Sequence, residues 1–242
     1  MPWGVRLPPW PWLVGLLVDN WIAESITALS FVDPERGGRP GSLPCPPLPD
    51  RAGTRRRCWR RAPQLGMWLT SRVSRCPGCG IELPTGSRAG GDPQLNASVE
   101  CWRLYGEVTG YAASHPAQLE RWHQTCVDAY GAQHSGDTTR AITTAFALNG
   151  LYLVFGRGFT GIQVRQAHTH LASTVKAWPR FVRPDSTGDV NVFDVALASS
   201  PEDHIELVQR WGASVWSAWS HVHDEVADMT DRQLHGWHPR TS

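Results

Sequence analysis

Two cysteines separated by Pro77 and Gly78, in the run Cys76-Pro-Gly-Cys-Gly80, are the residues of this sequence best placed to do chemistry. Glycines at 78 and 80 permit a tight backbone turn, so both sulfurs face one point and neighbouring amides can hydrogen-bond the thiolates. Such a knuckle supplies two ligands, whereas zinc usually takes four. Cys101 is the natural third, since it falls at the predicted start of a helix, where the aligned N–H groups favour a thiolate. For the fourth, the reading favours His123 on a second helix packed antiparallel to the first, with Cys126, one turn on, and His134 as competitors. The expected centre is zinc on Cys76, Cys79, Cys101 and His123, in a structural role. A thiolate-rich shell that fills all four positions is closed and a poor Lewis acid. A redox role for Cys76 and Cys79 is the lesser reading, because no thioredoxin-like βαβ pattern surrounds them.

Further titratable groups open a second reading, a metal-dependent hydrolase or transferase with a His/Asp site between helices. Asp128, His134, His168 and His204 are its candidate ligands or acid/base groups, provided that three helices bring the histidines together. His168 and His204 lie on apolar stripes, which suits a shared interior and equally suits histidines satisfied in a core. His221 and His223 flank Val222 and read as solvent-facing. Trp211 and Trp219 continue a Leu/Val stripe and read as core, while Trp216 falls off it, as a pocket wall or homo-oligomer contact would.

The elements that must position these residues are helical. Asn96 or Ser98 caps a first helix to about Tyr111, and Pro116 suits the first turn of a second. Thr138 or Thr139 caps a third through about Phe155, apolar almost all round and therefore expected to be central. Thr160 opens a fourth. After a loop from Trp178-Pro179 to Gly188 and an ambiguous piece, Val190–Ala198, Ser200-Pro201-Glu202-Asp203 starts the last helix, which continues to Val226. The predicted fold is mainly α, a bundle of about five helices with an N-terminal zinc knuckle.

Composition divides the chain near Cys76. Residues 1–75 hold eleven arginines against five acids, eleven of the nineteen prolines and six of the thirteen tryptophans. Apart from a short apolar piece around Trp12–Leu29 they show no sustained period. The reading takes 1–73 as disordered or as upstream DNA read as protein, with Met67 the true start. Residues 74–230 form the zinc-binding domain and 231–242 a tail. From 76 onward twelve basic residues face seventeen acids, so the basic run Arg55–Arg61 around Trp59 is not matched on the helices, and nucleic acid is a disfavoured partner. No secretory signal or run of eighteen apolar residues is found, and a cytoplasmic protein without a membrane partner is expected. In a reducing compartment Cys-x-x-Cys is more often a metal knuckle than a disulfide.

The CPGCG run, the element Ser98-Val-Glu-Cys101-Trp102, and His123 through Val127-Asp-Ala-Tyr-Gly-Ala-Gln-His134 together resemble a bacterial family of unknown function, common in actinobacteria. The Trp178-Pro179 loop, Phe193-Asp194-Val195 and the Trp-rich final helix add to the likeness, which spans roughly residues 74–230. The resemblance implies a shared zinc-supported helical fold and a start shortly before the knuckle. It implies no activity.

Overall fold

A computed structural model describes residues 73–86, 91–92 and 94–240. The expectations for the proline- and arginine-rich segment, including the start at Met67, lie outside the described residues. Among those described, a two-stranded antiparallel hairpin precedes seven α-helices. Strands β1 (Val73–Arg75) and β2 (Glu82–Pro84) pair with Ser74 opposite Leu83. Helices α1 (Val99–Ser114), α2 (Pro116–Gln133), α3 (Ala141–Phe155) and α4 (Gly161–Thr174) follow in close succession. A strap of irregular backbone, residues 175–191, leads to the short α5 (Val192–Ala196), then α6 (Pro201–Ala218) and α7 (His223–Gln233). No helix among the described residues is long and apolar enough to cross a membrane.

Local chemistry sets most helix starts. Ser98 accepts the Cys101 N–H, Thr160 and Gln163 form a reciprocal capping box, and Ser200 accepts the Asp203 N–H ahead of Pro201. Thr139 does not cap α3. Its hydroxyl instead donates to the Gln94 carbonyl and accepts from the Gly136 N–H, and Arg140 stands at the cap without a side-chain bond. The last helix is interrupted. After Trp219 the chain makes a 3₁₀ turn over Ser220–Val222, and His223 Nε2 lies 2.8 Å from the Trp216 carbonyl with its ring stacked on Trp216 at 3.7 Å. His223 is therefore half-buried rather than solvent-facing, and Trp216 is engaged within the chain by His223 and Tyr152.

Helix α3 packs against α2, α4, α6 and α7, as its all-round apolarity predicts. Helix α2 is equally enclosed, by α1, α3, α4 and α6, although its apolar residues form only one stripe. Every residue from Gln124 to Gln133 is buried. Close approach explains it: a Cβ on Gly131 would sit 3.2 Å from Ala147, and one on Gly212 of α6 would meet Thr125 at 3.0 Å. Small residues at these crossings let neighbours press on α2 from all sides, which a hydrophobicity count does not register.

Candidate metal centre

The knuckle is the turn of the β1–β2 hairpin. The Cys76 N–H donates to the Ile81 carbonyl and the Gly80 N–H to the Cys76 carbonyl, with Gly80 at φ +76°, a conformation that glycine adopts without strain. Glu100 on α1 ties the hairpin down by accepting from the Ser74 hydroxyl at 2.9 Å. Cys101 enters from the first turn of α1, its own N–H held by Ser98, while the Ser98 N–H reaches Cys76 Sγ at 3.4 Å.

Three sulfurs and an imidazole converge here. The ligand atoms of Cys76, Cys79, Cys101 and His134 all lie within 4.8 Å of one another, a group that could hold a metal ion. Cys79 Sγ is 3.8 Å from Cys101 Sγ, and Cys101 Sγ is 3.3 Å from His134 Nε2. Cys76, Cys101 and His134 are buried and Cys79 is half-buried. His134 Nδ1 lies 2.9 Å from the Tyr130 carbonyl, which can only accept, so Nδ1 carries the proton and Nε2 turns its lone pair to the sulfurs. The Tyr130 ring stacks on His134 at 3.9 Å and on Tyr105 at 4.0 Å, and its hydroxyl points at Cys101 Sγ. This aromatic column fixes the imidazole from behind.

Within the group, hydrogen bonding shifts the thiols in opposite directions. Hydrogen bonds, first from Cys101 and then from Cys79, pull Cys76 far below the usual thiol range. Bonding to Cys76 first, then to Cys79, and burial push Cys101 far above it. A divalent cation placed among them would instead favour all three as thiolates.

The strap closes over the knuckle. Arg183 Nη2 donates to the carbonyls of Gly78 (2.6 Å) and Pro77 (3.3 Å), and the Thr187 hydroxyl donates to the Gly78 carbonyl at 3.1 Å. Gln133, beside His134, donates through Nε2 to the Thr187 and Val190 carbonyls and accepts from Trp211 Nε1 at 3.0 Å. Sequence reading missed this clamp; the Gln133-His134 pair at a helix end was its visible trace.

The histidine in the group is His134, not His123. His123 stands eleven residues earlier on the same helix, about 16 Å along the axis. It is half-buried, and burial first, then the Arg165 charge, lower its pKa. Cys126 is also outside the group, its thiol pushed up to about 12 by burial first and by Asp128. The candidate enzyme residues are held in separate surroundings. His168 packs its ring edge-on against Phe146, with burial holding its pKa down at about 3. His204 packs against Tyr111 and is pushed down to about 4, by burial first and then by His115 and His123. Asp128 is buried beside Gly150, its pKa raised by desolvation. Among the described residues only the Cys76, Cys79, Cys101 and His134 group brings three or more such ligands within reach of one ion.

A family model described as "Family of unknown function (DUF5946)" matches residues 74–220, and the chain belongs to that family. The match covers the hairpin, the ligand group and the bundle through α6. No curated protein and no solved structure matches significantly.

Proposed function

We propose, taking membership of this family of unknown function as the premise, that the domain binds one structural zinc through Cys76, Cys79, Cys101 and His134, and acts by binding rather than by catalysis. The observation that carries the reading is the convergence of four protein ligand atoms within 4.8 Å. A tetrahedron with Zn–S bonds of ~2.3 Å has S–S edges of about 3.8 Å. The Cys79–Cys101 separation of 3.8 Å fits that edge before any rearrangement. Three sulfurs and a nitrogen are the soft, borderline donor set that zinc favours.

The structural role follows from what the ligands join. They come from the hairpin, the N-terminus of α1 and the C-terminus of α2, so one ion fastens three elements. Its binding contributes roughly 10 kcal/mol or more to folding in small zinc domains. A shell with four protein ligands leaves no position for a substrate or an activated water. The separation of His134, His168 and His204 gives the hydrolase or transferase reading no support.

Metal analysis of the purified full-length chain, with X-ray absorption at the zinc edge, tests this. The expected result is one zinc per chain, with three sulfurs and one nitrogen as neighbours. A second metal, or a mainly nitrogen and oxygen shell containing water, would overturn the structural assignment.

A further inference from the structure

We propose that Cys79 is an oxidation site, where a peroxide links Cys79 to Cys101 as a disulfide, expels the metal and loosens the strap. The proposal rests on the metal centre above and adds its regulation.

Cys79 is the accessible member of the group: it is half-buried, whereas Cys76 is 1% and Cys101 0% exposed. An oxidant arriving from solvent meets Cys79 first, and the Cys101 sulfur lies 3.8 Å from it. That gap must close by about 1.8 Å to reach an S–S bond of ~2.05 Å. Closing it takes rotation of the Cys79 side chain together with a turn of the Gly78–Cys79 peptide.

The chemistry balances with hydrogen peroxide as the oxidant. The Cys79 sulfur attacks one peroxide oxygen; an S–O bond forms, the O–O bond breaks, and the second oxygen leaves as hydroxide and is protonated to water. The Cys101 sulfur then attacks the Cys79 sulfenic sulfur, the S–S bond forms, and the S–O bond breaks to release a second water. Two thiolates, two protons and one peroxide give one disulfide and two waters, with two electrons passing from sulfur to oxygen. Only Cys76 and His134 then remain as ligands, half of a zinc site, and the ion leaves.

Release would reach the strap through one peptide group. The Gly78 carbonyl, which accepts from both Arg183 and Thr187, belongs to the peptide bond leading into Cys79. Drawing Cys79 toward Cys101 turns that peptide and misdirects the acceptor. The Gly78 position leaves little slack, since an added Cβ there would meet the Asn96 carbonyl at 2.4 Å. Without this anchor, the strap keeps its bonds to α2 and α6 and those of Arg180 to the Thr139 carbonyl and of His221 to the Val182 carbonyl.

Full-length, zinc-loaded protein titrated with hydrogen peroxide tests the proposal without a variant. Zinc release is read with a colorimetric chelator, the linkage by non-reducing peptide mass spectrometry, and the strap by hydrogen exchange over residues 178–191. One zinc should leave per disulfide formed, with a Cys79–Cys101 cross-link, faster exchange in the strap, and recovery on adding dithiothreitol and zinc. Zinc retained under excess peroxide would overturn the switch alone. So would a disulfide that leaves Cys79 out, or an unchanged strap after release. Absence of stoichiometric zinc before peroxide is added would overturn the metal centre and the switch together.

Discussion

Gly78 lies flat against the imidazole of His134: a Cβ at position 78 would stand 2.4 Å from His134 Cδ2. The knuckle backbone thus forms one wall of the slot that holds His134, and Tyr130 forms the other. A side chain at 78 must displace both the ring and the Asn96 carbonyl, each of which its Cβ would meet at 2.4 Å.

Gly78→Ala should therefore destabilise the domain by about 1–3 kcal/mol, the usual cost of overpacking. Since the displaced ring is a ligand in the proposed zinc centre, the loss should appear as weaker metal binding, about tenfold for each 1.4 kcal/mol that falls on the site. Zinc competition against a chromophoric chelator measures this. Affinity equal to that of the unaltered chain would show that His134 is not held by this contact.

Gln133 links the centre to the strap and to the core. It is fully buried, with three partners in Thr187, Val190 and Trp211. Gln133→Leu keeps the bulk but strands two carbonyls and an indole N–H, each costing about 1–3 kcal/mol when left buried and unpaired. Expected is a loss of about 3 kcal/mol or more in chemical denaturation, with hydrogen exchange rising first at residues 187–191. A loss below about 1 kcal/mol would mean that water replaces the amide and that the strap is not pinned there.

Asp128 offers a pH test on the other face of α2. Its Oδ1 accepts from Gln124 Nε2 at 2.9 Å, while Oδ2 lies against Gly150 without a hydrogen-bond partner. Burial raises its pKa well above the ordinary carboxyl value. The folded state thus binds the proton more tightly than the unfolded chain. The associated stability is present below the unfolded pKa of about 4 and is lost as pH rises toward the folded pKa, by roughly 1.4 kcal/mol per unit. Asp128→Asn cannot ionise and should overtake the unaltered chain in stability as pH rises from 4 to 7. Denaturant midpoints across that range should diverge in favour of the variant; parallel curves would show an ionised carboxylate in the fold.

How much of this was legible in the sequence depends on range. Ser98, Thr160 and Ser200 announced their helices because a cap acts within three residues. The three cysteines were legible because a knuckle is local and Cys101 sits at a helix start. The histidine that joins them was not, because His123 and His134 are eleven residues apart, close to three whole turns, and so share a face of α2. Mirror register about the bend at His115 sets Cys101 level with about residue 129, between the two histidines. What decides the matter is the link before α1, where the Asn96 N–H binds the His134 carbonyl at 2.7 Å and draws the group to the end of α2. Periodicity carries no trace of such a contact, nor of the Gln133 and Arg183 clamp. The break after Trp219 escaped for a related reason, since the apolar stripe runs through it unbroken to Val226 and only the His223–Trp216 contact marks the turn.

His168 supplies the opposite pH dependence. It is buried between α3 and α4 with Nε2 unpartnered, and desolvation, partly offset by a backbone bond at Phe146, holds its pKa at about 3. The folded state keeps the ring neutral while the unfolded chain takes up a proton near pH 6.5. Its stabilising contribution is therefore complete above about pH 6.5 and is lost as pH falls toward 3, at up to roughly 1.4 kcal/mol per unit. Replacing it with leucine removes both the titration and the unpaired nitrogen. His168→Leu should flatten the acid side of the stability profile between pH 6 and 4, measured by denaturation with the Asp128→Asn change in the background so that the two opposing titrations do not cancel. The zinc stoichiometry at pH 7 should be unchanged, because His168 lies outside the ligand group. An equally steep acid limb in the leucine variant would assign the proton uptake elsewhere, to His204 first, whose ring is also buried and whose pKa is held at about 4.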